Sequence, residues 1–122
     1  MRLARHNRAA NQVDNLTLVR MSSEEFSQAY QGVRPFRRLA ETPLEHFRLN
    51  TLLVDPPRAG LDSGTLALAK QFDRIIYISC NPNTLLNNLA QLQPSHRVHK
   101  LAFFDQFPYT DHLECGVILQ HR

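Results

Sequence analysis

Apolar residues in this chain gather into short, nearly continuous runs, separated by helix-periodic stretches or by polar, proline-bearing ones. Five runs read as strands: residues 16–19, 51–54, 74–79, 98–104 and 114–119. Runs that are apolar throughout, rather than alternating, suit strands buried on both faces. Between them lie helical patterns. Residues 2–12 space Leu3, Ala4, Ala9 and Ala10 among polar positions. Ser22 followed by Glu25 makes a capping box that opens a helix to about residue 31. Asp62 or Ser63 can cap a helix running to about residue 71, and Asn81 with Pro82 behind it starts another through Leu92. Residues 32–48 have no clear period, two prolines and a basic cluster, and read as a long loop with one helical turn. Strand–helix–strand alternation predicts an α/β fold with a mostly parallel sheet covered on both faces. The last two strands have no helix between them and are expected as an antiparallel pair at one edge.

Composition narrows the class only a little. A chain of 122 residues has room for one small domain. With 43% hydrophobic and 20% charged residues it groups with soluble globular proteins. A formal charge of +3 permits a polyanionic partner without requiring one. No apolar run approaches membrane-spanning length and no signal-peptide pattern opens the sequence, so a cytoplasmic location is expected. Cys80 and Cys115 are then expected as reduced thiols.

Ligands of open α/β sheets collect beyond the carboxyl ends of the strands. Asp55 and Cys80 each follow a predicted strand, and Glu114 opens the last one. If that last strand runs antiparallel, all three meet at one rim. Each also has a plainer reading. Cys80 can be the buried end of its strand, Asp55 a turn residue before Pro56-Pro57, and Glu114 an outward strand residue. The helix start at Asn81-Pro82 tilts the balance for Cys80, because a helix N-terminus favours negative charge beside it. Phe107 and Tyr109 can stack on bases or merely anchor a loop. Arg34, Arg37 and Arg38 with Phe36 can grip phosphates or form a solvated face. The histidines and cysteines show no zinc-ligand spacing. A Cys80–His112–Asp111 hydrolase has the residue types but no evident oxyanion hole.

Three motifs carry a resemblance. Val54-Asp55-Pro56-Pro57-Arg58-Ala59-Gly60, Tyr77-Ile78-Ser79-Cys80-Asn81-Pro82 and Phe104-Asp105-Gln106-Phe107-Pro108-Tyr109-Thr110 with His112-Leu113-Glu114-Cys115-Gly116-Val117 resemble the RNA uridine C5-methyltransferases. The similarity extends to Ala9-Ala10-Asn11, Asp14-Asn15 and residues 21–26. Tyr109 and the Glu114-Cys115-Gly116 triplet favour the branch that modifies the T loop of tRNA over the ribosomal RNA branch. Amino-group methyltransferases carry an aromatic residue where Arg58 stands, which argues against a nitrogen acceptor. The resemblance implies Cys80 as nucleophile, Glu114 as proton acceptor and Asp55 as a contact to S-adenosylmethionine. It also implies a class I methyltransferase fold with strand order 3-2-1-4-5-7-6, tRNA (its T arm) as partner, and a 5-methyluridine product.

One expected part is missing. None of the four glycines forms a glycine-rich turn after a first strand, the usual cradle for this cofactor. Residues 1–122 are therefore expected to be the C-terminal portion of the catalytic domain, with the first two strands absent. Such a chain is expected to be inactive alone, to bind the cofactor weakly if at all, and to self-associate through an exposed sheet edge. A non-catalytic RNA-binding fragment is the alternative from another class.

Overall fold

The computed structural model describes all 122 residues, Met1–Arg122. The chain divides into two compact units, Met1–Arg48 and Leu49–Arg122.

The first unit holds helices α1 (Arg2–Ala10) and α2 (Ser23–Tyr30) and two 3-10 turns, Arg37–Leu39 and Leu44–His46. The capping box forms: the Glu25 N–H donates to Ser22 Oγ at 3.1 Å and the Ser22 N–H to Glu25 Oε2 at 3.0 Å. Gly32, at φ +69°, follows α2 in the left-handed conformation that ends helices. The strand expected at residues 16–19 does not form, and that segment has no regular structure. A strand needs a neighbour for its N–H and C=O groups, and none of the four strands of the sheet pairs with it.

The second unit holds β1 (Thr51–Val54), α3 (Ser63–Ala69), β2 (Arg74–Ser79), α4 (Pro82–Leu92), β3 (His96–Phe104) and β4 (Glu114–His121). Both helix starts obey the capping pattern. Asp62 accepts from the Thr65 N–H at 2.8 Å and from its hydroxyl at 2.9 Å, while Asn81 accepts from the Asn83 N–H at 3.1 Å ahead of Pro82. The strands form one sheet in the order β1-β2-β4-β3. β1 and β2 are parallel, and β4 is antiparallel to both β2 and β3. Three strands thus run one way and one reversed strand is inserted before the edge, the 4-5-7-6 half of the expected order.

Alternate residues of β2 and β4 build the core. Ile75 and Tyr77 pack with Cys115, Val117 and Leu119, and Leu66, Ala69, Leu85 and Leu92 from α3 and α4 close over them. Coverage on both faces was expected, but within this unit both helices contribute to a single face. The other face bears Ile76, Ile78 and Ile118, only half-buried, and Leu53 at 64% exposure. No helix is long and apolar enough to cross a membrane.

Candidate active site

Asp55 directly follows β1, Cys80 directly follows β2, and Glu114 opens β4. Parallel pairing puts the ends of β1 and β2 together, and antiparallel pairing brings the start of β4 to the end of β2. The register is tighter than topology alone requires. Ser79 and Cys115 are the last registered pair of that ladder, so Cys80 and Glu114 are the two residues that adjoin its end. Asp55 is exposed, whereas Cys80 and Glu114 are half-buried.

The two cysteines are both free thiols in contrasting settings. Cys115 is buried in the core, and burial, followed by the nearby Glu114 charge, pushes its thiol up from the ordinary value. It remains a protonated packing group. Cys80 lies at the start of α4 in a segment clamped on either side. The buried Ser79 hydroxyl donates to the Asn81 carbonyl at 3.0 Å and accepts from the Asn81 N–H at 3.1 Å, so the backbone around the thiol is tied to the strand end.

Neighbouring loops are tied in as well. The Arg58 carbonyl accepts from Asn81 Nδ2 at 3.1 Å and from the Thr84 hydroxyl at 2.9 Å, which joins the loop after Asp55 to the start of α4. The Arg58 guanidinium lies 3.3 Å from His112 Nδ1, and the His112 ring meets Phe107 edge-on at 6.2 Å. The hydrolase arrangement is absent, since His112 faces Arg58 and has no hydrogen bond to Cys80. Tyr109 is fully exposed and holds φ +66°, a left-handed backbone unusual for a residue with a side chain. No cluster of three or more His, Cys, Asp or Glu residues could hold a metal ion.

The basic loop of the first unit is partly spoken for. Arg38 pairs with Glu25 and donates to the Arg20 carbonyl, and Arg34 lies 4.2 Å above the buried Phe36 ring. Arg37 is exposed.

Sequence reasoning passed over Thr84 and Asn88, which hold the loop between β1 and α3. A signal existed. Leu85, Asn88 and Leu92 are the buried positions of α4, so an amide interrupts an otherwise apolar stripe.

A reversed strand inserted before the edge of an otherwise parallel sheet, with a thiol and two carboxylates at the carboxyl rim, defines half of a Rossmann-like domain. The family model described as tRNA (Uracil-5-)-methyltransferase matches residues 1–122, and the chain belongs to that family. The tRNA/tmRNA (uracil-C(5))-methyltransferase of Azoarcus sp. (strain BH72) is 58% identical over 120 residues, covering 98% of this chain and 33% of the relative. That of Saccharophagus degradans is 58% identical over 122 residues, 100% of this chain and 33% of the relative. Among solved structures, the Pyrococcus abyssi tRNA (uracil-54, C5)-methyltransferase in complex with S-adenosyl-L-homocysteine matches with a TM-score of 0.69 and 31% identity, over 97% of this chain and 25% of that one. The chain spans about a third of the length of the curated relatives it matches.

Proposed function

We propose that this chain supplies the thiol and carboxylate side of a uridine C5-methyltransferase that acts on the T loop of tRNA in the cytoplasm. In this reading residues 1–122 are the C-terminal portion of the catalytic domain. One observation carries the reading: Cys80 and Glu114 both adjoin the last registered pair of β2 and β4, Ser79–Cys115, and Asp55 directly follows the parallel neighbour β1.

Uracil C5 is a poor nucleophile until a base adds to C6. Cys80, as thiolate, forms an Sγ–C6 bond, and the C5–C6 π pair moves toward C5 and the O4 carbonyl, giving C5 carbanion character. In this reading Asp55 contacts the cofactor. When bound, S-adenosylmethionine would supply an electrophilic methyl group for C5, the S–CH3 bond breaking with its electron pair to sulfur so that S-adenosylhomocysteine leaves. The fit is one-sided. Pro56 and Pro57 offer no N–H donors, and Gly60, a left-handed glycine at this rim, packs against Thr84 and Asn88 rather than leaving a cradle open. Residues outside this segment must supply the rest. Once C5 carries the methyl group, Glu114 takes the C5 proton, the C5–C6 double bond re-forms, the Sγ–C6 bond breaks and the thiolate returns. Glu114 then releases the proton to solvent. The target base must leave its stack to reach the thiol, and the fully exposed Tyr109 is placed to stack on a displaced neighbour.

The test uses a full-length enzyme carrying this segment, S-adenosylmethionine and a T-arm RNA containing 5-fluorouridine. Fluorine at C5 cannot be removed as a cation, so the Cys80 adduct accumulates. A stable protein–RNA adduct is expected, with none from Cys80→Ala. An unchanged adduct in that variant overturns the reading, and stronger labelling of a ribosomal RNA hairpin than of the T arm overturns the substrate.

The isolated chain is a different object. β1 is a sheet edge and its Leu53 is largely exposed. Self-association of the 122-residue chain is expected, read as a sedimentation coefficient that rises with concentration. A single monomeric species across that range would remove this part of the proposal.

A further inference from the structure

Asn88 is 5% exposed, lies in the second turn of α4, and every polar atom of its side chain is used. Its Oδ1 accepts from the Leu61 N–H at 2.8 Å and from the Tyr77 hydroxyl at 2.7 Å. Its Nδ2 donates to the Leu61 carbonyl at 3.4 Å. One amide therefore grips both sides of Leu61, in the loop after Asp55, and the middle of β2, the strand that leads to Cys80. Tyr77 is itself fully buried, and burial pushes its hydroxyl up from the ordinary value, so it remains a donor.

The rest of that helix face works in the same direction. Asn81, Thr84 and Asn88 recur at helical spacing, and the first two donate to the Arg58 carbonyl. Gly60 fits this seam in two ways. It holds φ +80°, and a β-carbon there would lie 2.6 Å from Asn88 Oδ1 and 3.3 Å from Thr84 Cβ. The loop carrying Asp55 is thus pressed onto the helix whose first turn adjoins Cys80.

We propose that Asn88 is a positioning residue for the reaction: it locks the Asp55 loop to α4 and β2, and so sets the distance between the cofactor side and the thiol side of the site. This rests on the methyltransferase reading above. A misplacement of about 1 Å between reacting groups costs roughly a hundredfold in rate, so a loosened seam acts on the chemical step before it acts on RNA affinity.

The experiment measures single-turnover methylation and fluorouridine-adduct formation, per folded enzyme, in a full-length chain carrying this segment. Asn88→Ala is expected to slow methylation about 10- to 100-fold while the dissociation constant for T-arm RNA changes less than about threefold. Leu92→Ala serves as the control for lost stability, because Leu92 lies on the same helix and in the same core and its side chain makes no hydrogen bond to the loop. It is expected to lower the melting temperature while keeping the rate per folded enzyme. Asn88→Asp, which keeps the acceptor for the Leu61 N–H, is expected to recover part of the rate lost in Asn88→Ala. Equal rates per folded enzyme in Asn88→Ala and Leu92→Ala would show a purely structural role and overturn the proposal. So would a loss confined to RNA affinity. Failure of the underlying reading looks different: Cys80→Ala would then still form the adduct.

Discussion

The two units of this chain differ in what holds them and in what they carry. Residues 1–48 contain eight arginines against five carboxylates, and residues 49–122 contain six basic against six acidic side chains, so the entire formal charge of +3 belongs to the first unit. The first unit has one buried residue, Phe36, and α1 buries none. The second unit has a contiguous core of nine buried residues and also holds Asp55, Cys80 and Glu114 at its rim. Local devices such as the capping box and the Arg38–Glu25 pair shape the first unit, whereas non-local burial holds the second. Exposed ion pairs and single caps contribute about 1 kcal/mol or less each, while each fully buried aliphatic side chain contributes more. Order in the second unit is therefore the firmer.

The largest effect expected from this contrast comes from the core. Leu119→Ala, at 2% exposure, should destabilise the second unit by about 2–5 kcal/mol, read from the denaturant midpoint. Leu3→Ala, at 73% exposure in α1, should change stability by less than about 0.5 kcal/mol. Equal costs at the two sites would erase the distinction.

A smaller effect separates cap from core within the second unit. Asp62 is held below the ordinary aspartate value chiefly by the Thr65 N–H, then by the Thr65 hydroxyl. A depressed carboxylate stabilises the fold above its unfolded value, and that contribution fades as pH falls through the folded one. Asp62→Ala should cost about 1 kcal/mol at neutral pH, and the gap from wild type should close below about pH 4. A pH-independent gap would mean that the carboxylate charge is not what matters there.

Much of the second unit was legible in the chain. The strand 74–79 and the helix from Pro82 to Leu92 end where the sequence placed them, because proline, asparagine and a capping side chain act within a few residues. The segment 16–19 misled for the opposite reason. Its apolar run has strand character, but a strand exists only with a partner, and pairing is not a local property. Helix coverage was equally illegible, since continuous hydrophobicity reports what a strand needs and not what covers it, and in the second unit both helices pack on one face. Asn88 was illegible as a clamp. An asparagine in an apolar stripe signals a buried amide, but its partners, Leu61 and Tyr77, are separated from it by 27 and 11 residues.

The sequence by itself determined which residue types end each strand: an aspartate before two prolines, a cysteine before a helix start, and a glutamate opening the last strand. These follow from short-range chemistry. Only the tertiary structure decided that Cys80 and Glu114 adjoin the same end of the β2–β4 ladder and that Asn88 holds the Asp55 loop against the thiol-bearing element. Both are outcomes of burying one sheet face, which selects a single register among several that the local pattern allows.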